Sequence, residues 1–252
     1  MSGITKDLAI QILEKLGYKI HPSWRHERYA QSEYLSKLFN YLEIDCVFDV
    51  GANDGQFCQF LRHEVGYKGP VISFEPIPAN VEKLKAAAKS DGQWIIKPFA
   101  LGKTKGKVQF NVMKESQFSS FLEPDHESVK MFMDNNQISE KIEVEVMTLA
   151  EIMPDILKEL HISSPYLKLD TQGFDLEVAY GAGGMLSSFK ALQSEASVKP
   201  IYKNMPSYSE SIATYIKMGF ELSGIYPNNP SHFPQMIEFD LHMINRNCIK
   251  LR

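Results

Sequence analysis

The sequence predicts a doubly wound α/β fold with a mostly parallel sheet, and three observations predict it. Short apolar and β-branched runs alternate with helical periodicities along most of the chain, the pattern of successive strand–helix–strand units. One of these runs, Cys46-Val47-Phe48, passes through Asp49 into a glycine turn and then a helix start, reading CVFDVGANDGQF over 46–57. Such a turn brings backbone N–H groups and a helix N-terminus close to a ligand, because glycine carries no side chain to hold the ligand off. Finally, two strand patterns at 220–226 and 237–244 have no helical pattern between them, so the closing pair is antiparallel.

In chain order, Ile4, Leu8, Ile12, Leu13 and Leu16 mark a first helix with Gly17 as its C-cap. A second helix over 28–42 places Tyr34, Leu35, Leu38 and Leu42 on one face. His21, Trp24, Arg25, His26, Glu27 and Arg28 lie between them, in a segment that reads as a surface connection or as a lid. Residues 1–43 thus form a helical extension, a lid or a dimer contact, and residues 44–252 the main domain.

Past the turn, a helix over 56–65 leads to a strand at 71–74 that ends in Glu75-Pro76. A helix over 78–90 follows, then a strand at 93–96 and two alternating strands at 108–112 and 142–146. The segment 114–137 is too long for a plain connection and reads as a covering loop with a helical portion near 127–134. Thr148, with Glu151 in the capping-box position, opens a helix over 149–160. A strand at 166–169 delivers Asp170 at its tip, a helix spans 175–181, and a strand around 191–193 brings Glu195 to a matching tip. A helix over 207–218 precedes the closing strands, which are joined by PNNPSHFPQ.

A net charge of −4 gives no electrostatic reason for nucleic-acid binding. The segment after the fourth strand reads LDTQG rather than the N/D-P-P-Y/F of nucleic-acid methylation. Cys46, Cys58 and Cys248 have neither metal-ligand spacing nor an even count for a disulfide framework, so reduced thiols and a cytoplasmic location are expected. No run of 18 apolar residues predicts membrane insertion.

The turn and Glu75, about twenty residues beyond it, suit an adenosine-containing ligand whose ribose hydroxyls bond a strand-tip acid. The turn reads D-x-G-A-N-x-G rather than G-x-G-x-x-G, and Asp49 at its start would repel a pyrophosphate. The same acid suits the cationic amino-acid end of S-adenosylmethionine.

From Asp45 to Ile244 the chain resembles the FkbM family of S-adenosylmethionine-dependent O-methyltransferases. The resemblance is carried by VFDVGANDG, VISFEPIPANVEKL, PFALG, the Ser119-Ser120 pair, VMTLAEI, and LKLDTQGFDLEVAYGA followed by QSEAS. Asp175 stands where that family often has Glu. The resemblance implies a Rossmann-like class I methyltransferase fold, a mostly parallel seven-stranded sheet with a terminal antiparallel hairpin. It also implies that Asp49, Gly51, Ala52, Asn53 and Gly55 cradle the methionine and sugar, and that Glu75 holds the ribose. Pro76, Ile77, Ala100 and Leu101 would flank the adenine, and Ser119 and Ser120 would close over the cofactor.

Asp170 and Glu195 would then stand beside the sulfonium, with Asp170 the first candidate for general base and His126 and His232 further ones. As an alternative, Asp170 and Glu195 hold a divalent metal. Lys168, in the strand just before Asp170, is read as pointing to a different side, where it pairs with an acid or contacts substrate. The implied acceptor is a hydroxyl of a glycan in polysaccharide biosynthesis, or of a secondary-metabolite scaffold. Trp24, Phe118, Phe121, Tyr202, Tyr208 and Phe233 are candidate stacking walls for it. A second reading is a catalytically inactive, cofactor-binding subunit of a biosynthetic complex; a homodimer is a further expectation.

Overall fold

A computed structural model describes Leu8, residues 11–13, 15–18, 26–228 and 233–249 of the chain. His21, Trp24, Arg25 and His232, named above as lid or base candidates, lie outside the described residues. Of the first helix, residues 8, 11–13 and 15 are described as helical. Gly17 takes a left-handed φ of 87°, and the Tyr18 N–H donates to Leu13 O at 2.9 Å, which closes that helix as its glycine predicts.

The elements run α1 (His26–Leu42), β1 (Cys46–Val50), α2 (Gln56–Phe60), β2 (Val71–Phe74), α3 (Pro78–Asp91), β3 (Trp94–Lys97), β4 (Ala100–Leu101) and β5 (Gly106–Met113). They continue with β6 (Ile138–Met147), α4 (Leu149–Glu159), β7 (Pro165–Leu169), α5 (Asp175–Ala182), β8 (Ala191–Ser197), α6 (Tyr208–Lys217), β9 (Phe220–Pro227) and β10 (Glu238–Asn245). A seven-stranded sheet has the order β3-β2-β1-β7-β8-β10-β9. It is parallel through β8 and antiparallel at β10 and β9. This is the mostly parallel, Rossmann-like sheet with a closing antiparallel pair.

β1, β2 and β7 are buried along their whole length, since helices cover both faces. Successive side chains go to opposite faces. Phe48 and Val50 with Leu167 and Leu169 enter the core that contains Leu149, Met153, Val178 and Phe189. Val47 and Tyr166 enter the other, with Phe57, Leu61 and the α1 residues Leu35, Leu38, Phe39 and Leu42. The helix read as part of an extension therefore packs on the same sheet as the domain that follows it. Cys46 and Cys58 are free and buried, and burial pushes both thiols up to about 12, so they act as packing groups.

Some elements differ from expectation in place or length. The strands expected at 108–112 and 142–146 belong to a second, three-stranded sheet, β4-β6-β5, whose inner face buries Ile77, Ala100, Phe110, Val112, Val144 and Val146. Ala100 and Leu101 sit in that sheet rather than at the tip of β3. β8 continues to Ser197, so Glu195 lies inside the strand rather than at its end. The covering loop holds short 3-10 turns at Ser116–Phe118 and Lys130–Phe132 in place of a helix near 127–134. The Thr148 cap forms as its sequence predicts, accepting from the Glu151 N–H at 3.2 Å.

Because Leu35 is fully buried under the sheet, Leu35→Ala should cost about 2–5 kcal/mol in a denaturant unfolding experiment. An unchanged midpoint would show α1 to be separate from the core.

Candidate active site

The turn after β1 is held by Phe74 O, which accepts from the N–H groups of Gly51 and Ala52 at 3.1 Å each. Gly51 has φ 77°, and a Cβ there would stand 2.0 Å from Asp170 O, so no side chain fits between the tips of β1 and β7. Gly55 has φ 94°, and its Cβ would strike the Trp94 ring at 2.4 Å. Asn53 takes a positive φ of 48° and turns its N–H toward Glu75, donating to Oε2 at 2.8 Å. The Ile77 N–H donates to Glu75 Oε1, also at 2.8 Å. Burial raises the Glu75 carboxyl to about 7 against the opposing pull of these hydrogen bonds. Each of its oxygens keeps accepting capacity toward the cavity it lines, as a ribose diol requires.

Asp49 does not reach the cavity. Strand alternation puts it on the α1 side of the sheet, fully buried. There Ser73 Oγ donates to its Oδ2 at 2.9 Å, and Trp94 Nε1 donates in turn to Ser73 Oγ at 2.9 Å. Its other oxygen lies 3.2 Å from Lys168 Nζ, and the same ammonium lies 3.2 Å from Asp170 Oδ2. Asp49 thus supports the turn from beneath rather than meeting the methionine end of a cofactor. Lys168 does not point away from Asp170; it joins the two acids. Burial disfavours its charge, but Asp170 and Asp49 outweigh burial and hold the ammonium above its usual range.

A cavity of about 560 Å³ opens between the turn, β2, the small sheet and the ends of β7, β8 and β10, large enough for a nucleoside-sized ligand with room beyond it. Of the residues singled out in the sequence, Gly51, Ala52, Asn53, Glu75, Pro76 and Ile77 line it, and so do Ala100, Leu101, Ser119, Asp170 and Glu195. Phe118 and Phe121 also line it, whereas Tyr208 and the 88%-exposed Phe233 do not. Gly55, Ser120 and His126 stand off the wall. Ser120 Oγ instead donates to Gln172 O at 2.7 Å and ties the covering loop to the β7 turn. His126 Nε2 is 2.8 Å from Asn136 Oδ1 within the loop, and the imidazole does not line the cavity. Ser116 Oγ donates to Asn53 Oδ1 at 2.8 Å, a second tie between the loop and the glycine turn.

The far end of the cavity is acidic. Gln172 Nε2 donates to Glu195 Oε2 at 2.7 Å and to Asp170 Oδ1 at 3.2 Å, a shared donor where the metal alternative needs a cation. Among the described residues, no three His, Cys, Asp or Glu side chains converge to hold a metal ion. Asn228 Nδ2 donates to Glu195 Oε1 at 2.8 Å, and Gln31 Nε2 donates to Asp240 Oδ2 at 2.7 Å. Burial, reinforced by the neighbouring acids, raises the carboxyls of Glu195, Glu238 and Asp240. The sequence reading passed over Glu238, Asp240, Gln172, Asn228, Gln193 and Gln31. The alternation Glu238-x-Asp240-x-His242 in the last strand was the available signal, marking a polar face on a half-buried antiparallel strand.

Comparison with known proteins places this geometry. The family model "Methyltransferase FkbM domain" matches residues 49–222. The fold and site are those of an S-adenosylmethionine-dependent methyltransferase. The chain belongs to the FkbM methyltransferase family. Among solved structures, it is similar to a SAM dependent methyltransferase from Aquifex aeolicus, at 13% identity and a TM-score of 0.42, covering 93% of this chain and 97% of that one. It is similar also to the Aeropyrum pernix fibrillarin complex with natively bound S-adenosyl-L-methionine, at 11% identity and a TM-score of 0.42, covering 84% and 74%. A comparison with curated proteins gives no match.

A ribose hydroxyl would be bound by Glu75 as the carboxylate, and the raised value means the free protein holds a proton there below about pH 7. S-adenosylhomocysteine should therefore bind more weakly as pH falls from about 7, by up to about tenfold per unit, and level off above it. Calorimetric titrations across that range check this; a flat profile would contradict it. Lys168→Met should destabilise the fold by about 3–5 kcal/mol, since Asp49 is left buried and unpaired. Adding Asp49→Asn to it should recover part of that loss in the same unfolding assay.

Proposed function

We propose that the chain methylates a hydroxyl oxygen of a sugar, glycan or secondary-metabolite scaffold. The observation that carries this reading is the position of Glu195, a half-buried carboxyl that lines the end of the cavity away from Glu75 and whose proton affinity its surroundings raise. Bound in the cavity, S-adenosylmethionine supplies a methyl group on a sulfonium. Glu75 would hold its ribose hydroxyls, the backbone of Gly51 and Ala52 its amino-acid end, and Ile77, Ala100 and Leu101 the adenine; the cavity wall these residues form fits those groups.

An acceptor hydroxyl placed against Glu195 completes the arrangement. Its oxygen bonds to the methyl carbon as the carbon–sulfur bond breaks, with the electron pair left on sulfur, while the hydroxyl proton passes to Glu195. The products are the methyl ether, S-adenosylhomocysteine and a protonated carboxyl. Positioning supplies much of the rate in such an in-line displacement. Glu195 suits the proton transfer because burial raises its proton affinity, and a stronger base takes a hydroxyl proton more readily. Asp170, held at Oδ2 by Lys168 and at Oδ1 by Gln172, orients the reacting groups.

Glu195→Gln should lower kcat by about 10²–10⁴-fold while S-adenosylhomocysteine affinity stays near that of the unaltered protein. Steady-state release of S-adenosylhomocysteine with an identified acceptor measures it. An unchanged kcat would remove Glu195 from the proton transfer.

A further inference from the structure

The acceptor end of the cavity carries more carboxyl groups than methyl transfer to a neutral alcohol requires. Asp170, Glu195, Glu238 and Asp240 line one cavity. Of the two cations that line it among the described residues, Lys168 is already divided between Asp49 and Asp170, and Arg28 stands over the Phe60 ring. Among the described residues, no cation forms an ion pair with Glu195, Glu238 or Asp240. Their donors are neutral: the amides of Gln172, Asn228 and Gln31, and the Ser197 hydroxyl at 3.3 Å from Glu238. Neutral donors satisfy lone pairs without supplying the opposite charge that would favour the carboxylate forms, so these carboxyls are held toward protonation until a cation meets them.

A second observation lies in the same wall. Gln193 is the register neighbour of Lys168 on one side and His242 on the other, and it lines the cavity at 3% exposure. Its Oε1 has no hydrogen-bond partner. His242 offers it no charge, because burial lowers that imidazole to about 3 and keeps it neutral. An unpartnered buried carbonyl oxygen beside uncompensated carboxylates lacks the same thing they lack, a charged donor.

We propose that the methyl acceptor carries a protonated amine close to the reacting hydroxyl, bound by Glu238 and Asp240 with Gln193 Oε1 receiving one of its N–H groups. This rests on the methyltransferase reading and names its substrate class: an amino sugar, an aminocyclitol or another vicinal amino alcohol. An ammonium has three donors and no acceptor, which matches a wall made of acceptors. A neutral polyol would bring acceptors of its own and leave the charge uncompensated.

The test is calorimetric and uses the full chain. A first titration with S-adenosylhomocysteine establishes cofactor binding; failure there would overturn the methyltransferase reading itself. The loaded protein is then titrated with trans-2-aminocyclohexanol and, separately, with trans-cyclohexane-1,2-diol. The amino alcohol should bind about tenfold tighter or more, a difference of about 1.4 kcal/mol. Glu238→Gln, and Glu238→Gln with Asp240→Asn, should bring the two ligands toward parity with S-adenosylhomocysteine affinity retained. Equal affinities, a preference for the diol, no binding of the amino alcohol, or magnesium binding that displaces it would each overturn the proposal.

Discussion

The site depends on one buried ammonium. Lys168 lies between Asp49 beneath the glycine turn and Asp170 at the tip of β7, 3.2 Å from each. Asp49 and Lys168 are register partners on adjacent parallel strands, and Ser73 is the partner of Asp49 on the next strand. A carboxylate in that interior is tolerable only when paired, because desolvation of an isolated charge costs several kcal/mol. The pairing fixes β1 against β7 at the point where Gly51 lets the two backbones meet. It also turns Asp170 toward the cavity. The floor of the cavity below the glycine turn and its wall at Asp170 are thus set by the same contact.

From that contact the cavity divides by chemistry. Toward β2 and the small sheet it is apolar, with Ile77, Ala100 and Leu101, and its polar feature is Glu75, held by two N–H groups. Toward β8 and β10 it is a cluster of carboxylates and amides. The covering loop spans both ends through Ser116 on Asn53 and Ser120 on the β7 turn. Buried Tyr202 adds a third tie, donating to Phe118 O at 2.6 Å. The loop is therefore built into the wall, tied to the residues at both ends of the cavity.

Much of this was legible in the sequence, and the failures have physical causes. Glu75 was readable because strand end, spacing and following prolines agree on where it lies. The antiparallel pairing of β9 and β10 was readable from the missing helix between them, whereas the seven-stranded sheet came with the family resemblance. Asp49 was misplaced because a strand buried on both faces shows no alternation, so CVFDV does not say which way its acid points. Lys168 was misread because it stands two residues before Asp170, and strand alternation puts residues two apart on the same face, within reach of each other. α1 was read as an extension because its helical periodicity says that a face is buried but not against what. Gln31 and Gln193 left no signal, since each takes its meaning from residues on distant strands.

The most direct test of the account is the position of S-adenosylhomocysteine in a crystal structure of its complex. The account predicts the ribose hydroxyls on Glu75, the adenine against Ile77 and Leu101, and the sulfur turned toward Asp170 and Glu195, with Lys168 still bridging Asp49 and Asp170. A ligand whose amino group contacts Asp49, or whose ribose lies away from Glu75, would contradict it.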